Sequence, residues 1–565
     1  MCQFEGLRPE EMTSAMQGIA DPEVTSPMRS RVLFLGTAGG FALRLLFIWS
    51  GLCDGNIVAD DAYYYFTIAH NLAAGAGPTF DGLSPTNGFH PLYQFLLVPV
   101  FGLARAISQD PWLPVHGALS LCALCDLVTA LLLAAILGRI GHPTGGVIAA
   151  WLWSLSPPSL LLTLRGMEGA LSAFSVALVL LLLVGSGSPW GRRGRAFRLG
   201  LSIGLAFLAR TDNGPLLGVS VLAFLVFDLA ARHRTMPSGR AIATTALSAG
   251  AGTGLVASPW LVWNLASFGS LVQVSGLAKM HNRAIFGALP ELHGSEALAG
   301  WIARLGVPLL QVGQFVAGED QAQPRVTFVV LWLMLMAIVF AAPLLRRAWA
   351  ASRSSPARPL LAFAVAFIAF HLALYGFVMG TYVVWYATIP VLLATLVAGG
   401  LGGERVSELN SRGGRRAWSC VLAALSVAAY INFFAHVSHG PRHREIETGE
   451  VFRYIRAHFP SVRVIGGFNV GAPGYFATTR WNLRVVNLDC LVNNALYAAW
   501  QRDEVLAYLE RHVDLILMDA PATMKGWLQD GEWERLETVY PRQSRTMIHG
   551  PRRGHHVPAR PGAEP

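Results

Sequence analysis

Long apolar runs with few charges recur along this chain and restrict its fold more than any other feature. They cover 32–52, 91–107, 114–138, 145–164, 170–186, 199–211, 215–230, 241–263, 324–345, 359–379, 385–402 and 416–436. A helix needs about 20 apolar residues to cross the hydrocarbon core, where no water satisfies an unpaired backbone group. Of the 565 residues, 53% are hydrophobic and 14% charged, against roughly 25% charged residues in soluble domains. A polytopic α-helical membrane protein is therefore expected. A weaker stretch, 301–317, reads as amphipathic and lies on the membrane or on the protein.

The net charge of +9 invites a nucleic-acid partner, but the placement of the charge excludes one. Arginines sit in short loops between apolar runs: 192, 193, 195 and 198; 232, 234 and 240; 346, 347, 353 and 358; 405, 412, 415 and 416. The positive-inside rule makes these loops cytoplasmic. Residues 53–90 contain no Lys or Arg and are expected outside. The amino terminus is then cytoplasmic and everything after about 437 lies outside. That orientation requires an odd number of crossings, about eleven, so one of the twelve runs does not cross; Pro99 marks 91–107 as that run.

The expected organisation is a cytoplasmic, disordered segment 1–30 without a cleavable signal peptide and a membrane domain 31–437 with outward loops 53–90 and 264–323. An outward α/β domain 438–550 and a disordered tail 551–565 follow. No inverted repeat is evident. In the outward domain, 445–458 and 491–512 read as helices, and 462–467, 484–489 and 514–519 as strands. Six cysteines form no metal pattern. Cys122 and Cys125 read as small buried hydrophobes, and pairing of Cys53 with Cys490 stays open.

The strongest chemical signal is Asp60-Asp61-Ala62-Tyr63-Tyr64-Tyr65-Phe66, which opens an amphipathic helix after the first run. Acids at a helix start also satisfy free N–H groups and favour the dipole. Two adjacent carboxylates repel, however, and one can keep a raised pKa suited to general-base work.

This arrangement, continued by Gly77-Pro78-Thr79-Phe80-Asp81-Gly82 and Pro85-Thr86-Asn87-Gly88-Phe89-His90-Pro91-Leu92, resembles the GT-C superfamily of membrane glycosyltransferases. The likeness extends in architecture over 31–437 and in residues over a few short motifs. It implies that Asp60, with Asp61 beside it, is the catalytic base, or a metal or acceptor contact. His90 would reach the site, although a His at a helix start is an equal reading. Glu168, in Arg165-Gly166-Met167-Glu168-Gly169, falls on a similar family turn. So do Arg210 and Asp212, in Arg210-Thr211-Asp212-Asn213-Gly214, where Asn213 is inserted before the Gly; a structural ion pair is the alternative. Lys279 ends a stretch that begins at Ser258-Pro259-Trp260 and resembles the loop above the family's site. There it would neutralise a leaving phosphate, unless it is an interfacial lysine. Tyr382, Trp385 and Tyr386 match an aromatic lipid-donor groove, or form an interfacial belt.

The resemblance implies a sugar transferase of hexosyl or pentosyl type in the bacterial inner membrane. Its partners would be a polyprenyl-phosphate-linked sugar and a glycan, lipid or protein acceptor, and the product inverted. A divalent cation is compatible, although no ligand pattern demands one. A transporter or flippase for a lipid-linked glycan is the alternative. The turn 469–474, after the first tail strand, nearly copies a dinucleotide fingerprint. Its first Gly is replaced by Asn469, so no nucleotide site is expected there.

Overall fold

The computed structural model describes residues 27–54, 57–185, 190–232, 237–281, 357–375, 384–408 and 443–517. The expected runs 301–317, 324–345 and 416–436 and both terminal segments, apart from residues 27–30, lie outside these. The helices are α1 (Pro27–Trp49), α2 (Asp60–Ala73), α3 (Pro91–Ile107), α4 (Trp112–Arg139), α5 (Pro143–Leu155), α6 (Pro157–Leu164) and α7 (Gly169–Leu183). They continue as α8 (Arg193–Ala209), α9 (Asn213–Arg232), α10 (Gly239–Phe268), α11 (Val274–His281), α12 (Ala357–Ala373) and α13 (Thr388–Glu408). Among the described residues four helices are long and apolar enough to cross a membrane: Arg29–Trp49, Trp112–Arg139, Gly239–Phe268 and Trp385–Gly403. Large apolar side chains such as Leu35, Leu103, Leu222 and Leu247 point outward, as a lipid-facing surface requires.

Two expected boundaries change. The run 241–263 continues helically to Phe268, where Gly269 adopts φ +67 and ends it, so the outward loop starts later than 264. The run 145–164 is two helices. Pro157 disfavours helical geometry at Ser156, whose ψ is 137, and the chain breaks there. The break leaves carbonyls unpaired in an apolar surround, and Arg44 of α1 takes them up. Its guanidinium donates to the carbonyls of Ser154 (2.5 Å) and Trp153 (3.3 Å), to Ser159 Oγ (2.8 Å) and to Asp126 Oδ2 of α4 (3.3 Å). Asp126 also accepts from Trp153 Nε1 (3.2 Å) and from the Thr163 hydroxyl. Every charge in this knot is satisfied, as burial demands.

Residues 443–517 form α14 (His443–His458), β1 (Val464–Gly467), α15 (Gly471–Phe476), β2 (Arg484–Asn487), α16 (Asn494–Trp500), α17 (Val505–His512) and β3 (Leu515–Leu517). The expected single helix 491–512 is thus two, parted where Asp503 takes φ 56. The strands are parallel in the order β2-β1-β3, with Ile465 opposite both Val485 and Leu515. This unit shares one apolar core with the membrane helices. Tyr63 and Phe66 of α2 pack on Tyr475 with ring centres 5.6 and 6.3 Å away. Tyr475 donates its hydroxyl to the Pro111 carbonyl (2.5 Å), and Trp112 Nε1 to Glu445 (2.6 Å). Cys53, Cys122, Cys125 and Cys490 are free thiols, so the Cys53–Cys490 pairing does not form.

Removing one partner of a buried, hydrogen-bonded ion pair costs about 3–5 kcal/mol. Arg44→Ala should therefore lower the unfolding temperature of the detergent-solubilised protein sharply. Arg44→Lys should recover only part, because a point charge cannot reach both the broken turn and Asp126. Equal stability of Arg44→Ala and the parent would dismiss the knot as a stabilising element.

Candidate active site at the outer-loop helix

Helix α2 carries the site because its neighbouring residues face different partners. Residues four apart share a helical face, so Asp60 and Tyr64 look towards the tail while Asp61 and Tyr65 look towards the membrane helices. The Ala59 N–H, just before the helix, donates to the Arg165 carbonyl at 3.0 Å and ties its start to the turn that holds Glu168.

Asp60 is fully engaged. Its Oδ2 accepts from Gly471 N–H (2.9 Å) and its Oδ1 from Ala472 N–H (3.0 Å). These amides open α15 directly after β1, so the expected dinucleotide-like turn receives an anion, and the anion is the chain's own carboxylate. A side chain on Gly471 would run into the Asp60 backbone. Next to it, Asp489 at the end of β2 accepts from the Tyr64 hydroxyl (3.1 Å), Asn469 N–H (3.3 Å) and Leu491 N–H (3.0 Å). Burial raises the Asp489 pKa against these bonds.

Asp61 has a different setting. Its nearest cation is Lys279 of α11, with Nζ 3.9 Å from Oδ2. Burial pushes its pKa up to about 6; Lys279 opposes the rise, and Asp60, Asp489 and Glu168 add to it. Lys279 donates to the Tyr386 hydroxyl at 2.9 Å. Burial works against the ammonium, yet Tyr386 and Asp61 hold it above the usual lysine range.

Behind Lys279 lies a denser layer. Arg210 holds Asp212 with two bonds (3.0 and 3.1 Å), Glu168 Oε1 (2.7 Å) and the Tyr375 hydroxyl (3.0 Å). Its guanidinium lies 4.9 Å from the Tyr386 ring centre, a cation–π contact. Burial opposes ionisation of Asp212, but Arg210 and the Tyr375 hydroxyl hold its carboxyl well below the usual range. His90 accepts at Nδ1 from Thr211 N–H (3.3 Å), with Gln273 Nε2 at 3.2 Å. That assigns its proton to Nε2, which faces Glu168 at 3.7 Å; burial lowers the His90 pKa and keeps the ring neutral.

Asp61, His90, Glu168, Arg210, Asp212, Lys279 and Tyr386 thus come together. Trp385 packs in the apolar core beside them, and Tyr382 lies outside the described residues. Sequence reading missed Tyr375, Gln273 and Tyr64, whose residue types carry no signal until the fold places them, and left Asp489 without a role. Among the described residues no group of three or more His, Cys, Asp or Glu is arranged to hold a metal ion. The acids are already committed, Asp60 to amides and Asp212 to Arg210.

No protein-family model matches the chain, and no curated protein matches it. Solved structures do. The apo oligosaccharyltransferase of Archaeoglobus fulgidus aligns over 89% of this chain and 71% of its own, at 14% identity and a TM-score of 0.51. The archaeal oligosaccharyltransferase AglB of that organism, in complex with an inhibitory peptide and a dolichol-phosphate, gives the same coverage and TM-score at 15% identity. ArnT from Cupriavidus metallidurans bound to undecaprenyl phosphate covers 90% of this chain and 88% of its own, at 15% identity and a TM-score of 0.46. The archaeal alignments show the fold: this chain shares the fold of these oligosaccharyltransferase structures, in line with the resemblance its motifs carry.

Loss of a carboxylate from such a pair of amides costs about 0.5–2 kcal/mol. Asp60→Ala should therefore speed hydrogen exchange across 471–476 while leaving 112–139 unchanged. Unaltered exchange at 471–476 would show that the clasp does not hold the tail.

Proposed function

We propose that the chain transfers a sugar from a polyprenyl-phosphate donor to an extracytoplasmic acceptor, with inversion. The observation that carries this reading is the Asp61–Lys279 pair, a base and a cation 3.9 Å apart at the rim of a GT-C fold. AglB, whose fold this chain shares, was captured with a dolichol-phosphate, which supports the donor class.

In this reading Asp61, rather than Asp60, is the base, because the Asp60 oxygens are occupied by amides. Asp61 takes the proton of the acceptor hydroxyl as that oxygen attacks the anomeric carbon. The bond from that carbon to the phosphate oxygen breaks on the opposite face, and its electron pair leaves with the phosphate. Lys279 neutralises the charge that develops there. Arg210 already has three partners, so it acts by fixing Tyr386 and Glu168 rather than by binding phosphate itself. Among the described residues Glu168 Oε2 is buried without a hydrogen-bond partner, which suits it to accept from a sugar hydroxyl.

Donor binding also prepares the base. Lys279 holds the Asp61 pKa down, so a phosphate that draws Lys279 away makes Asp61 a stronger proton acceptor. The arginine-rich loops support an outer position for this rim. No feature of the described residues favours the transporter alternative.

Three outcomes test the proposal, with purified protein and a panel of undecaprenyl-phosphate sugars. Asp61→Asn should cut turnover about 10²–10⁴-fold, and full turnover in that variant would end the assignment. The base acts ionised, so turnover should fall as pH drops through about 6. In Lys279→Ala the same limb should move to higher pH, and turnover at saturating donor should fall more than donor affinity; an unmoved limb would separate the two residues.

A further inference from the structure

The 53–90 segment and the tail meet a second time, at the far end of α2, around a cleft of about 440 Å³. Asn71 and Asp81 line it from the loop, and Arg463, Thr478, Asn482 and Arg484 from the tail. Arg463 precedes β1 and Arg484 opens the neighbouring β2, and Arg484 N–H donates to the Arg463 carbonyl at 3.1 Å. Both are exposed, and neither guanidinium has an acidic partner among the described residues. Asp81 is held at the rim, its Oδ1 accepting from Leu83 and Ser84 N–H at 2.8 Å each. The loop around it is fixed by Asn71, whose amide donates to the Thr79 and Phe80 carbonyls at 2.8 and 3.3 Å.

This is a polar cleft lined by two arginines and one carboxylate, Asp81, a balance that favours an anion. Guanidinium groups recognise carboxylate and phosphate with paired hydrogen bonds, and Asp81, Thr478 and Asn482 match the hydroxyls of a sugar. Pockets of about 300–1,000 Å³ hold small ligands, so the cleft has room for sugar rings. We propose that this cleft is a recognition subsite for a saccharide bearing a carboxylate or a phosphate, the part of the acceptor that lies away from the reacting hydroxyl. At about 1.5 Å per residue the ten residues from Asp61 to Asn71 put the cleft about 15 Å from Asp61, so an acceptor that reaches both is an extended glycan. Its role as acceptor rests on the transfer reading, whereas its binding does not.

The test measures binding alone, with the full chain in phosphatidylcholine nanodiscs and saturation-transfer NMR of glucuronate, glucose 6-phosphate and glucose. At least one acidic sugar should give a signal well above that of glucose. The Arg463→Gln/Arg484→Gln double variant should weaken its affinity about tenfold or more, as loss of charged hydrogen bonds does. The corresponding double Lys variant should keep part of it. Equal signals for all three sugars, or an unchanged affinity in the double Gln variant, would overturn the subsite. A signal lost in Lys279→Ala but kept in the double Gln variant would place the sugar at the transfer site instead. A signal that vanishes once phosphatidylglycerol enters the nanodisc would give the cleft to a lipid headgroup, and the saccharide reading would fail. None of these results depends on transfer being observed.

Discussion

Two backbone amides at the start of a short helix decide what the adjacent aspartates can do. The Gly471 and Ala472 N–H groups bind both oxygens of the Asp60 carboxylate and fix the direction in which α2 rolls. Rolled that way, Asp61 comes within 3.9 Å of Lys279. Neighbouring carboxylates in a buried place would repel, and the amides resolve the conflict by stabilising one charge locally. The second can then respond to whatever Lys279 binds. The tail is thus part of the site's electrostatics, supplying the groups that make two like residues unlike.

The same logic recurs deeper in the protein. Arg44 settles the carbonyls that a proline break exposes and couples them to Asp126. Arg210 gathers Glu168, Asp212 and Tyr375. In both places a guanidinium gathers several acceptors at once, which a lysine could not do. In the proposed reaction a charge has to change partners at position 279, and there the residue is a lysine.

Much of the membrane part was legible because apolar runs report helices directly: 91–107 is a helix to the residue, and 114–138 falls within α4. The break at Ser156 was signalled by Pro157 and Pro158, but the hydrophobicity around them hid it. The split between α16 and α17 was missed for a different reason, since Asp503 in a left-handed turn leaves no periodic trace. At the site, the motif located both aspartates and put Asp60 first, because the amides that engage Asp60 lie more than 400 positions away. The turn 469–474 shows this most clearly. Asn469 breaks its fingerprint and removes the expectation of a nucleotide, yet the turn's amides do bind an anion, and the sequence cannot say that residue 60 supplies it.

That separation bears on how the protein is made. Asp60 and its amide partner are 411 residues apart, and ribosomes add about 5–20 residues per second. For about 20–80 seconds, then, α2 exists without the amides that hold it, and the tail without the helix that completes its core. The reactive arrangement comes together only when the last part of the fold is delivered. A nascent chain stalled before residue 471 would carry every membrane residue of the site and still be unable to set Asp60 and Asp61 apart.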